Sequence, residues 1–131
     1  MMTVVMFITN SCSENIPTYT TDVYQGCNKV EETHIKVVVC DALQTYWGGA
    51  EVFMYQTEDA RTNDPQRTNF YRKGTTDNTD PQNIGVIFYQ TPYQIYYFFA
   101  RHDLGGGNFI TGVGEIKPEM CTTVKLVVVV Q

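Results

Sequence analysis

With 131 residues the chain has room for one domain and one core, long enough to fold without disulfides or metals. Its net charge of −5, from 14 acidic and 9 basic residues, argues against a nucleic-acid partner, which calls for a basic stripe; Arg67, Arg72 and Lys73 read as a solvated loop face. No segment approaches the roughly 20 consecutive apolar residues of a membrane-spanning helix, and nine Tyr, seven Phe and one Trp favour strands over helices.

Residues 1–8 are mostly apolar and lead into Thr9-Asn10-Ser11-Cys12-Ser13-Glu14-Asn15. A short apolar run ending in small residues and a cysteine resembles the end of a bacterial lipoprotein signal peptide, with Cys12 as the lipid-bearing residue. The polar and acidic surround is similar to that of Bacteroidetes-type lipoproteins. No Lys or Arg precedes Cys12 and the apolar run is short, both of which a start codon assigned too late explains. The competing reading is a first strand with a buried cysteine. On the lipoprotein reading, residues 1–12 are a truncated signal ending at the lipidated cysteine. Residues 13–33, with Pro17, Gly26 and Glu31-Glu32, are a polar tether, and 34–131 are the folded domain.

The first strand is expected over 34–40, with Ile35, Val37 and Val39 on one face and Lys36, Val38 and Cys40 on the other. After a turn over 41–49, a second strand covers 50–56, with Ala50, Val52 and Met54 as its core stripe and Glu51, Phe53 and Tyr55 facing away. Residues 57–69, rich in Asp, Asn, Thr, Pro and Arg, read as a loop. Strands follow over 70–76 and 84–89, separated by a turn at Asp80-Pro81 and stopped by Thr91-Pro92. The fifth strand, 93–101, is apolar on both faces, so it is central or its outer face is covered. Gly105-Gly106-Gly107 turns the chain into a sixth strand over 108–116. The seventh, 122–130, is almost continuous valine, as in a strand buried on both faces. No helical period appears. Seven short strands with turns between them argue for an all-β sandwich.

In order and spacing, Val37 to Asp41, Gly49 to Tyr55, Thr75 to Asp77, Gly85 to Phe88, Tyr96 to Ala100 and Val124 to Val130 resemble the carboxypeptidase-regulatory-like domain, a transthyretin-like (prealbumin-like) sandwich. Tyr55-Gln56-Thr57-Glu58-Asp59 with Asn63-Asp64, and Gly105 to Asn108 leading to Thr111-Gly112-Val113, are similar to the lipid-anchored versions of Bacteroidetes. The resemblance covers 34–131 and implies a seven-stranded antiparallel Greek-key sandwich, immunoglobulin-like in layout. It also implies a non-enzymatic, lipid-anchored outer-membrane protein with a structural, adhesive or partner-supporting role. One departure is the longer gap between Asp77 and Gly85, where the family has Asp-x-x-Gly.

Enzymatic branches of the same fold fit poorly. The ring-opening hydrolases depend on His and Arg residues and a Tyr-Arg-Gly-Ser tail, whereas this chain reads Val-Val-Val-Gln there and has only His34 and His102. The iron dioxygenases use two Tyr and two His, and no spacing supports that site. His34 reads as structural; a hydrolase would need a polar pocket joining His102 to Arg101 or Asp103. No catalytic residue, metal site or cofactor is therefore expected. Asp59, Asp64, Asp77 and Asp80 lie in two loops but match no calcium loop and read as solvated turn residues. The cysteines lack the paired spacing of zinc sites. In an oxidising envelope Cys27 and Cys121, each just outside a strand, are the expected disulfide, with Cys40 as a buried hydrophobe instead. The expected partners are a membrane, through the lipid, and a glycan or protein. Tyr46, Trp47, Tyr89, Tyr93 and Tyr96 are the candidate ligand surface, because exposed Trp and Tyr stack on sugars and anchor interfaces.

Overall fold

Alternating apolar residues build two sheets whose inner faces meet. The computed structural model describes residues 27–131. The smaller sheet has the order β4-β1-β7, from β1 (His34–Asp41), β4 (Val86–Phe88) and β7 (Thr123–Val130). The larger has the order β3-β2-β5-β6, from β2 (Glu51–Tyr55), β3 (Arg72–Thr75), β5 (Tyr96–Gly105) and β6 (Asn108–Ile116). The all-β sandwich is as expected, with one difference in strand direction. β1 and β7 pair in parallel, His34 opposite Thr123 through Asp41 opposite Val130, while the other pairs are antiparallel. A parallel pair needs a long crossover and burial on both faces. Here the crossover is everything between the first and last strands.

The core follows the two-residue period. Ile35, Val37 and Val39 of β1 and Val124, Leu126 and Val128 of β7 pack against Val52, Met54, Phe98 and Ala100 of the larger sheet. Each of the larger of these side chains contributes roughly 1.5–3 kcal/mol by leaving water. On the far face of the smaller sheet, Cys40 and Val127 are buried with Tyr46 and Val129 packed on them. Cys40 is disulfide-bonded as well as buried, which corrects the reading of it as a plain hydrophobe.

Both corners between the sheets are closed. At one, Gly112 and Gly114 let β6 lean on β7, and Thr111 and Gln131 exchange two backbone hydrogen bonds of 3.3 and 3.0 Å. At the other, the Arg72 guanidinium donates to the carbonyls of Tyr89 and Gln90, bridging β3 to the end of β4. Covered edges deny another chain a template for pairing. The long gap between Asp77 and Gly85 is closed by their mutual backbone bonds of 3.0 and 2.7 Å. Gly85 is required there: its φ is +109°, and a Cβ would stand 2.5 Å from the Val37 carbonyl oxygen.

The segment before β1 is fixed from Cys27 onward, so the tether expected over 13–33 does not extend through residues 27–33. Cys27 is bonded to Cys121. Thr33 is fully buried; its carbonyl accepts from the Thr91 N–H (2.9 Å) and its hydroxyl from the Cys121 N–H (2.8 Å). The expected signal, and the tether as far as residue 26, lie outside the described residues.

The outer face of the larger sheet is covered by the segment 57–71, which contains a five-residue helix, α1 (Glu58–Thr62), capped by the Thr57 hydroxyl accepting from the Ala60 N–H. This is why Phe53 and Tyr55, expected to face away from the core, are nonetheless buried. Arg67 lays its guanidinium 3.6 Å from the centre of the Phe99 ring and donates to the Tyr55 hydroxyl at 3.2 Å. Arg61 donates to the carbonyls of Phe98 (3.3 Å) and Gly114 (3.1 Å). Asp64 lies under this cover, only 6% exposed, and accepts from the Tyr55 hydroxyl (2.9 Å) and the N–H groups of Thr68 and Asn69 (3.1 and 2.9 Å).

Burial alone would raise the Asp64 pKa. The hydrogen bonds from Asn69, Thr68 and Tyr55, with the charge of Arg67, outweigh it and hold the carboxyl below its ordinary value of 3.8. Burial pushes the Tyr55 hydroxyl up. A depressed carboxyl stabilises the fold above its unfolded pKa, and that stabilisation is lost as the pH falls through the folded value. Asn at this position has one oxygen acceptor for three donors. Asp64→Asn is therefore expected to lower the melting temperature at neutral pH and to flatten the acid side of the stability curve. Identical acid limbs in thermal melts of the two proteins would show that Asp64 plays no such part.

Candidate binding site

The five aromatic residues singled out from the sequence fall at opposite ends of the sandwich. Tyr46 bridges to Cys40, and Trp47 donates its backbone N–H to the Val39 carbonyl, near the C-terminal end of β1. The Trp47 ring lies 4.5 Å from His102, and its Nε1 donates to Asp41 at 3.2 Å. Tyr89 meets His34 edge-on at 5.0 Å, at the other end of that strand. Eight residues of β1 separate the two groups by about 25 Å.

Tyr96 is corrected from a surface residue to a core residue. It is 0% exposed, because it continues the inward stripe of Phe98 and Ala100. Its hydroxyl donates to the Pro92 carbonyl at 2.8 Å. Burial, helped by the neighbouring Tyr71 and opposed by Arg72, pushes its pKa up to about 12. Its ring supports Tyr71, which stacks on it nearly parallel, 9° off, with centroids 6.1 Å apart.

Tyr71 is 39% exposed, and so belongs to the surface that Tyr96 was expected to form. It and Phe70 wall a pocket of about 380 Å³. Tyr55 is also in the lining, and Gln56, Thr57 and Asn69 supply polar groups. Phe70 is itself held edge-on by Phe53 at 5.4 Å. Tyr93, 54% exposed with the Lys117 ammonium 4.3 Å from its ring centre, follows Tyr89 at the same end. Gln94 ties that segment to the pocket by donating to the Gln56 carbonyl at 3.4 Å. Sequence reasoning missed Gln56, Thr57, Asn69, Phe70 and Tyr71. The available signal was Phe70-Tyr71 at a loop-to-strand junction, where two adjacent rings cannot both turn inward.

The hydrolase constellation is not assembled. Arg101 and His102 point to opposite faces of β5: Arg101 donates to Glu51 at 2.7 Å on the outside, and His102 packs on Trp47. Asp103 accepts from the Gly105 N–H, closing the hairpin turn. His102 Nδ1 is buried without a hydrogen-bond partner among the described residues. On the outer face the Lys73 ammonium, 2.8 Å away, together with Arg101, overcomes burial and holds the Glu51 carboxyl below its ordinary range.

Asp77 and Asp80 cap their own turns, through Thr79 and through Gln82 and Asn83, and Asp64 is committed to Tyr55. Among the described residues no three His, Cys, Asp or Glu side chains come together to hold a metal ion. His34 Nδ1 accepts from the Gln90 N–H at 3.0 Å, a structural contact. The lipid expected on Cys12 lies outside the described residues.

No sequence-family model and no curated protein matches the chain. Among solved structures it is similar to a Pseudomonas aeruginosa protein described as "a putative carbohydrate binding protein". The two are 18% identical, with a TM-score of 0.40, over 79% of this chain and 92% of the other.

Proposed function

We propose that the protein is a non-enzymatic binding module of the cell envelope or the space outside it, and that it takes its ligand at the Phe70–Tyr71 end. One observation carries this: two rings fixed from behind by Phe53 and Tyr96 wall a pocket of about 380 Å³ whose rim is polar. Ligand sites combine apolar walls with a few placed polar groups, and rings already held in place lose little freedom on binding. The lining residues are uncharged and include no nucleophile–base pair, which suits holding a ligand better than transforming it.

The cellular address rests on sulfur. Cys27 and Cys121 are bonded, and Cys40 is disulfide-bonded, a state that persists in oxidising compartments. The chain has four cysteines. A thioether lipid on Cys12 would leave that sulfur unable to form a disulfide. Intact mass before and after reduction separates them, because a lipid survives reduction and a disulfide does not.

The site is tested on arrays carrying neutral and acidic glycans and extended peptides. Wild-type protein should be retained on a subset of spots. Tyr71→Ala should weaken that retention by about 2 kcal/mol, roughly thirtyfold in Kd. Trp47→Phe, at the opposite end, should leave it unchanged. Retention lost with Trp47→Phe and kept with Tyr71→Ala would move the site to the other end. No retention on any array would end the binding reading.

A further inference from the structure

We infer that the pocket selects a neutral, hydroxyl-rich chain, that is, a non-acidic oligosaccharide; this rests on the proposed binding site and names its ligand. The lining includes no Asp, Glu, Lys, Arg or His. The three nearby cations are spent: Arg61 on the Phe98 and Gly114 carbonyls, Arg67 on Tyr55 and the Arg61 carbonyl, Arg72 on the Tyr89 and Gln90 carbonyls. Asp64 beneath the pocket is saturated by its three donors. The pocket lining itself therefore offers an acidic polymer no cation and a basic one no carboxylate.

Flat apolar walls stand beside unused amides in this pocket. The side chains of Gln56 and Asn69 are exposed and have no hydrogen-bond partner among the described residues, so each offers donors and an acceptor together. The Thr57 hydroxyl accepts from Ala60 and keeps its own proton to donate. Groups that both give and take suit hydroxyls, which do the same, and the faces of Phe70 and Tyr71 suit the C–H faces of a sugar ring.

An extended peptide gains affinity chiefly by adding a strand to an open sheet edge. Arg72 reaches across the edge nearest the pocket to the Tyr89 and Gln90 carbonyls, and the Thr111–Gln131 pair joins the far corner, so an added strand would meet contacts already made at both places. Because the Gln94–Gln56 bond ties the Tyr93 segment to the rim, a ligand longer than the pocket has a second ring on which to continue. Affinity should therefore rise with chain length.

The test is an amide-resolved NMR titration of the full chain. The probes are neutral hexasaccharides of the gluco-, manno-, xylo- and galacto-series, a hexagalacturonate, and an uncharged extended peptide. At least one neutral hexasaccharide should shift the amides of Gln56, Asn69 and Tyr71, bind more tightly than its trisaccharide, and hold its affinity in high salt. Asn69→Ala should weaken it about tenfold and Tyr71→Ala about thirtyfold, with melting temperatures confirming that both variants are folded. Shifts at these residues from hexagalacturonate or the peptide, without any neutral sugar, would overturn the inference and leave the site standing. Silence from every probe would overturn both.

Discussion

Gly112→Ala is expected to destabilise the protein by about 3 kcal/mol or more. A Cβ at this position would lie 2.2 Å from the Val129 carbonyl oxygen and 2.9 Å from its carbon. Both are backbone atoms and cannot turn away, so β6 must retreat from β7. The Thr111–Gln131 hydrogen bonds go with it. The reduced entropy of the unfolded alanine chain returns only about 0.4–1 kcal/mol, too little to offset the clash. Gly114→Ala is the matched control. Its Cβ would meet methyl groups of Leu126 and Val128 at 3.2–3.4 Å, and side chains can shift, so the cost should be about 1 kcal/mol. Urea unfolding reads the difference as separate midpoints. Coincident midpoints would mean that the two strands do not touch through Gly112.

The second large effect is expected from the disulfide. Replacing Cys27 and Cys121 together by serine should remove about 3–4 kcal/mol of stability. The cysteines are 94 residues apart, and a loop of that length, left open, restores to the unfolded chain an entropy that the chain-entropy model puts at about 4–5 kcal/mol. The denaturant slope should steepen as well, because an uncrosslinked chain exposes more surface when it unfolds. A loss below about 1 kcal/mol with an unchanged slope would indicate that the bond only pins residues 27–33 to the domain.

Strands were legible where a two-residue period ran between clear turn signals. β6 matches its expected span, and β1 and β7 differ by one residue each. The direction of β7 was not legible, because alternation is identical in parallel and antiparallel strands; only its unbroken valine hinted at burial on both faces. β3 and β4 are shorter than their apolar runs suggested. Phe70 leaves the ladder to wall the pocket, Tyr71 keeps a single bond to it from its N–H to the Met54 carbonyl (2.8 Å), and Gly85 takes a φ of +109° that no strand adopts. α1 has five residues, too few to show a period.

The site was hardest to read for a related reason. Tyr96 shares a stripe with Phe98 and Ala100, and that stripe alone argued for burial. Phe53 and Tyr55 looked like outward residues and are covered because cations, distant in kind from a core, fold over the sheet: Arg67 over Tyr55, and Lys73 and Arg101, with the Phe70 ring, over Phe53. Which rings remain at the surface depends on where that segment lies, a tertiary fact that local pattern does not carry.

The parallel pairing of β1 with β7 also governs when the molecule can form. The centre of the smaller sheet joins segments from nearly opposite ends of the described chain, so the loop-closure entropy of almost the whole domain is spent before that pairing yields any return. A nascent chain that has not yet delivered Thr123–Val130 can pair β1 with β4 alone, leaving the other edge of Val37, Val38 and Val39 open on an apolar segment of high β-propensity. The smaller sheet is therefore complete only when the end of the domain has been made, and β1 depends on being kept from other chains until its last neighbour arrives.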